Sequence, residues 1–143
     1  MKIFNNTLIS LFLLVSFSCT NSSNKTLVNQ GPVSKSEMEK GAQIYRAKCM
    51  TCHRKNGEGL KSVYPPLANS DFLEKKMEDA VRMVKYGSSE AIKVNGIRYQ
   101  SYMPASGLKD KDLSLVFNYI LNSWGNSYGR IEPETIRSIK EKK

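Results

Sequence analysis

Cys49-Met50-Thr51-Cys52-His53 constrains this 143-residue chain more than any other segment. His53 is the only histidine, and the two cysteines leave a single other, Cys19. An odd cysteine count argues against a disulfide framework. Two thiols three residues apart could form a redox pair, but such a pair wants a strand-then-helix context. Here the motif follows a predicted helix, and no alternating strand-helix pattern surrounds it. A structural zinc site needs four Cys or His ligands. Only Cys49, Cys52 and His53 are available together.

The reading that uses all three side chains is covalent haem attachment, for which Cys-x-x-Cys-His is a signature. Each thiol adds to one haem vinyl group as a thioether. The spacing matches the separation of the two vinyls, and the adjacent imidazole can reach the iron as proximal ligand. His53 should then donate its second ring nitrogen to a fixed acceptor that sets its orientation. A backbone carbonyl near Pro65 is the candidate, because the segment is stiff and Pro66 has no N–H to compete.

The N-terminus carries Lys2 and then the apolar run Leu8–Val15. That run is shorter than the ~20 residues a membrane-spanning helix requires. It reads as a signal peptide over residues 1–18. Ser18-Cys19 resembles a bacterial lipoprotein signal, in which the cysteine is lipidated and becomes the new N-terminus; Ser16 departs from that pattern. On this reading Cys19 is the lipidation site, and the cysteine count closes with one for lipid and two for haem. Residues 19–35 are rich in Asn, Ser, Thr and Gly and read as a flexible tether, with an r.m.s. span of about 20–25 Å. The formal charge of +9 falls to about +8 once Lys2 is removed. A basic surface favours acidic partners or anionic lipid. The lysines are dispersed and no base-reading motif occurs, so no nucleic-acid partner is expected.

The compact domain is expected over residues 36–129, with 130–143 as a basic C-terminal tail that adds at most a short helix. Ser36 and Glu39 offer a capping box for a helix carrying Met38, Ala42, Tyr45 and Cys49. Apolar residues from Phe72 to Val84 recur at three and four, predicting one helix that ends at Gly87. Asn95-Gly96 between alternating apolar residues predicts a hairpin. A last helix is expected from Asp110 or Asp112, with Leu113, Val116, Phe117, Ile120 and Leu121 inward and Gly125 as its stop.

The sixth iron ligand must be sought without a second histidine. Met38 lies in the first helix and Met50 between the cysteines. Met77 falls in an apolar helical stripe and reads as core filler; Met83, on the same helix, is expected to pack or to face solvent. Met103 lies in a loop before Pro104, 50 residues beyond His53, and can approach from the far side. Its competing reading is a gap-filling core residue. Histidine–methionine ligation raises the reduction potential and closes the iron to substrates, which points to electron transfer rather than catalysis.

From Gly41 to Gly125 the chain resembles the class I cytochrome c family. The resemblance lies in Gly41-x3-Tyr45-x3-Cys49, the attachment motif, Pro65-Pro66-Leu67, Asn95-Gly96-x-x-Tyr99-x3-Met103-Pro104, and Asn118 to Asn126. It implies an all-α fold of three main helices plus a short hairpin loop around one haem. In that fold a glycine in the first helix allows the last helix to cross closely. It implies that Pro65 and Leu67 support the proximal histidine and cover the haem, and that His53 and Met103 are the axial ligands. Haem attachment in this family takes place outside the cytoplasm in bacteria. The expected function is a periplasmic electron carrier tethered through Cys19, acting with acidic or membrane-bound redox proteins. A cytochrome subunit of a periplasmic dehydrogenase or terminal oxidase is the alternative, with a haem gas sensor behind it. Monomer and subunit of a redox complex are both compatible with the sequence.

Overall fold

A computed structural model describes residues 27–142. The expected signal peptide and Cys19 lie outside the described residues. The described residues fold into six helices and one two-stranded hairpin, in agreement with the all-α reading.

Helix α1 (Lys35–Lys48) starts at Ser34, two residues before the expected cap. The Ser34 hydroxyl accepts from the Glu37 amide at 3.2 Å, and Glu37 accepts from the Ser34 amide at 2.8 Å. The sequence contains two overlapping Ser-x-x-Glu boxes, Ser34/Glu37 and Ser36/Glu39. The first wins because Glu37 also meets Arg130, at 3.1 Å, from the other end of the domain. The ion pair and the cap hold the Glu37 carboxyl below its ordinary pKa, the Ser34 hydrogen bonds contributing most.

Helix α1 runs into the single turn α2 (Met50–His53) and crosses α5 (Asp110–Leu121). The crossing point is Gly41. A Cβ there would strike the Leu115 carbonyl oxygen and stand 2.6 Å from Tyr119 Cβ. The absent side chain lets the two backbones touch, and the buried faces of both helices, including Tyr45, Val116, Phe117 and Ile120, close around that contact.

The predicted middle helix is two helices, α3 (Asp71–Lys75) and α4 (Met77–Tyr86), broken at Lys76 (φ −130°, ψ 38°). Neither Gly nor Pro occurs at the break, so packing imposes it: Leu73 before it and Met77 after it are both buried. Strands β1 (Ile92–Val94) and β2 (Ile97–Tyr99) form the predicted hairpin, pairing Ile92 with Tyr99 and Val94 with Ile97. Its turn has positive φ at both Asn95 and Gly96, the two-residue turn whose twist suits paired strands. Asn95 and Asp71 then exchange amide-to-side-chain hydrogen bonds of 2.7 and 3.0 Å, which fasten the hairpin to the start of α3.

The expected basic tail is corrected. Residues after Gly129 belong to the compact domain: Ile131 and Ile136 are fully buried, and Ile139 nearly so. The segment contains helix α6 (Pro133–Ser138). Ile131 is held on α5 by two buried polar residues, for its amide donates to Asn118 Oδ1 at 2.8 Å and its carbonyl accepts from Ser114 Oγ at 2.8 Å. The last residues of the expected tether also belong to the compact domain. Asn29 pairs with Arg130 through two 2.8 Å backbone hydrogen bonds, and Leu27 and Val28 pack against the core. The charge of the tail hid three isoleucines whose spacing buries them together.

Two outcomes follow from these contacts. Gly41→Ala gains helix propensity of about 1 kcal/mol but overpacks the crossing, so denaturant unfolding should show a net loss of about 1–2 kcal/mol. The lowered pKa of Glu37 means that its contribution is present above the ordinary value of 4.5 and is lost as pH falls through the lower folded value. Glu37→Gln should therefore reduce stability at neutral pH and flatten the acid limb of a plot of unfolding midpoint against pH.

Candidate functional site

The turn at the end of α1 sets the geometry of the attachment motif. The amides of Cys52 and His53 both donate to the Cys49 carbonyl, at 3.2 and 2.9 Å. Residues i, i+3 and i+4 of a helical turn share a face, so Cys49, Cys52 and His53 line one wall of a cavity. The two thiols are free. Burial, and secondarily the neighbouring Cys52, push the Cys49 thiol up to about 11. Redox-active dithiols depend on a depressed thiol pKa, so this environment disfavours the redox-pair reading. Among the described residues no group of three or more Cys, His, Asp or Glu side chains converges as a metal cluster.

His53 is 8% exposed. Its Nδ1 donates to the Pro65 carbonyl at 2.9 Å, the acceptor expected from the sequence. Burial lowers the imidazole pKa, while the Pro65 contact partly opposes that. A neutral ring with Nδ1–H committed to a backbone carbonyl leaves Nε2 as a lone-pair donor.

The loop that brings Pro65 to His53 depends on Gly59. This residue has φ 64°, and a Cβ would strike the Tyr64 carbonyl and lie 2.7 Å from that of Pro65. Its amide donates to the His53 carbonyl at 3.0 Å. Leu67 is fixed from two sides. Its amide donates to the Gly57 carbonyl at 2.7 Å, and its carbonyl accepts from Asn126 Nδ2 at 2.9 Å. Behind the motif, Tyr45, Tyr119 and Trp124 pack with ring centroids 4.9–5.5 Å apart. The Tyr45 hydroxyl donates to the Arg54 carbonyl at 2.6 Å, and desolvation raises its pKa. This cluster braces the turn from the side away from the cavity.

The cavity has an inner lobe of about 70 Å³ and an outer one of about 260 Å³. Helix α5 supplies Val116, Phe117 and Ile120, α4 supplies Ala80, Met83 and Val84, and the hairpin supplies Ile92 and Val94. An outer lobe opens past Tyr64, Tyr99 and residues 101–106. Cys49, His53, Pro65 and Met103 line both lobes, and Leu67 lines the inner one. Met103 is placed by a backbone pair with Ser88, of 2.8 and 2.9 Å. Met77 is core, as expected. Met83 instead borders both lobes, as sequence reasoning did not foresee. The same holds for Phe72, Ile92 and Val94: their apolar periodicity signalled burial, but nothing in it distinguished burial against protein from burial against a cofactor.

An apolar cavity, two free thiols on one wall and an oriented neutral imidazole fit a covalently attached haem. The family profile for Cytochrome c matches residues 38–124, more than half of the chain. The chain belongs to the cytochrome c family. Among its relatives, cytochrome c-552 of Thermus thermophilus is 32% identical over 113 residues, covering 72% of this chain and 86% of that protein. The fructose dehydrogenase cytochrome subunit of Gluconobacter japonicus is 24% identical over 105 residues, covering 70% of this chain and 22% of that subunit. The cytochrome c subunit of the quinone-dependent alcohol dehydrogenase of Gluconobacter oxydans is 24% identical over 110 residues, again 70% of this chain and 22% of that subunit. This class I cytochrome c therefore binds covalent haem c and transfers electrons, and its Cys49, Cys52 and His53 fit the family's attachment pattern. The domain is an electron carrier rather than a catalyst. Cytochromes c of this kind are exported, and no helix among the described residues is long and apolar enough to cross a membrane.

Proposed function

We propose that this cytochrome c is a lipid-anchored electron carrier on the periplasmic side of a bacterial membrane, with Cys49 and Cys52 as the thioether residues and His53 and Met103 as axial ligands. The observation that carries the reading is that His53, from α2, and Met103, from the loop after β2, line the same apolar cavity together with Cys49. When bound, the haem supplies the one-electron couple. The protein residues orient it and keep water away. His53 is aimed by Pro65, Met103 is placed by Ser88, and Leu67, Phe117 and Val94 wall off solvent. Methionine opposite histidine, in a largely apolar pocket, favours a raised reduction potential.

Cys19 as the lipidated residue and the stretch before Leu27 as a tether complete this proposal. The domain proper then begins near Leu27 and includes the segment after Gly129. At the cavity mouth Tyr102 is 70% exposed, and Leu60 and Val63 are also exposed. Ser101 Oγ donates to the Val63 carbonyl at 2.8 Å, joining the two loops that carry these residues. Lys48 stands at the same lobe. A small apolar patch beside a cation suits transient contact with an acidic redox protein. The second reading, a subunit docked on one dehydrogenase, is favoured by the dehydrogenase cytochrome subunits among the relatives.

Absorption spectra of the exported protein test the ligand set. The far-red methionine–iron band should be present in the oxidised form, and carbon monoxide should leave the reduced spectrum unchanged. Met103→Ala should keep the covalent haem, lose that band and bind carbon monoxide stoichiometrically. Unchanged ligation in this variant would reject Met103, and rapid carbon monoxide binding by the unmodified protein would favour a gas sensor. Electron transfer by a carrier should also slow steeply with added salt, whereas a dedicated subunit should co-purify with a large partner at moderate salt.

A further inference from the structure

The polar face of α4 is not free in solvent. Arg82 and Tyr86 stand opposite the buried Met77, Ala80 and Val81, and Lys85 lies at the margin of that face, where helical periodicity would leave them exposed. Instead the Arg82 and Lys85 side chains are only 15% and 17% exposed. All three donate to backbone carbonyls of the C-terminal segment. Arg82 Nε meets the Lys140 carbonyl, Lys85 Nζ that of Ile136 and the Tyr86 hydroxyl that of Ile139, each at 3.0 Å. Lys85 also pairs with Asp110 of α5 at 3.0 Å. The same segment is clipped to α5 at Ile131 by Ser114 and Asn118. It therefore runs as a strap from one cavity wall to another, across the outside of the molecule.

The wall that the strap grips also carries the Met103 loop. One turn beyond Lys85, the Ser88 amide and carbonyl form the backbone pair with Met103. The Ser106 amide donates to the Val84 carbonyl at 2.9 Å. Gly87 presses so closely on this loop that a Cβ would lie 3.1 Å from the Met103 carbonyl. The loop is thus hung on the last turn of α4, through Val84, and on Ser88 just beyond it. Movement of that turn carries Met103 with it, because its backbone hydrogen bonds among the described residues go to Ser88.

We propose that the C-terminal segment is a ligand-holding strap, and that Lys85 and Tyr86 are positioning residues that keep Met103 on the iron by pinning α4. This rests on the reading of Met103 as the axial ligand. The segment is then part of the redox site's control, setting how readily the sixth position opens, in addition to covering the core.

Titration of the oxidised full-length holoprotein with imidazole, an external ligand that competes with Met103, tests this. Lys85→Met with Tyr86→Phe removes two donors to the strap and leaves the cavity lining intact. Imidazole affinity should rise on the order of tenfold, as loss of two ordinary hydrogen bonds permits. Hydrogen exchange at the Met103 and Ser88 amides should accelerate with it. Ser34→Ala, which weakens the far end of α1, is the control for general destabilisation and should leave imidazole affinity unchanged. Equal affinities in the parent and the double variant would overturn the strap, as would an equal rise in Ser34→Ala. A parent protein lacking the methionine–iron band would instead remove Met103 as ligand, and the strap's role with it.

Discussion

Much of this structure depends on the 2.9 Å hydrogen bond from His53 Nδ1 to the Pro65 carbonyl. An imidazole with little solvent contact must be neutral and must have its N–H satisfied, or burial costs more than packing returns. The Pro65 carbonyl meets that need and selects the tautomer whose other nitrogen is free. To present it, the chain between His53 and Pro65 must turn back on itself. Gly59 permits the turn by leaving out a side chain that the Tyr64 and Pro65 carbonyls would exclude. Asn126 then fastens the next segment to α5 by donating to both Leu67 and Ile120. One oriented ring thereby links the attachment turn, the Pro65–Leu67 segment and the end of the last helix.

The second organising contact is the crossing of α1 and α5 at Gly41. It brings the attachment turn of one helix against the cavity-lining face of the other. Tyr45, Tyr119 and Trp124 fill the space behind the turn, where Trp124 also packs on Gly57. The rigid half of the cavity is built from this crossing. The other half, α4 with the hairpin and the Met103 loop, joins it through fewer regular elements. It is this half that the C-terminal strap holds.

A domain of this size has a core that apolar side chains alone fill only in part. Phe72, Val84, Ile92 and Val94 line the cavity. A covalent cofactor that completes the core cannot dissociate from it, which suits an exported carrier.

What the sequence alone determined was local chemistry. Cys49, Cys52 and His53 are adjacent in the chain, so their shared face follows from helical spacing. The Asn95-Gly96 turn follows from the positive φ both residues tolerate, and the stiff Pro65-Pro66 pair marked the acceptor for His53. Tertiary structure decided what depends on distant residues. Arg130 selected Ser34 over Ser36 as the cap of α1, burial of Leu73 and Met77 broke the middle helix at Lys76, and Tyr45 holds the carbonyl of Arg54 where the chain leaves α2 at positive φ. The placement of Met83 at the cavity and the burial of Ile131, Ile136 and Ile139 under a basic surface were likewise decided at that level. Short-range rules read neighbours along the chain, whereas each of these outcomes is set by a partner many residues away whose position exists only once the domain has closed.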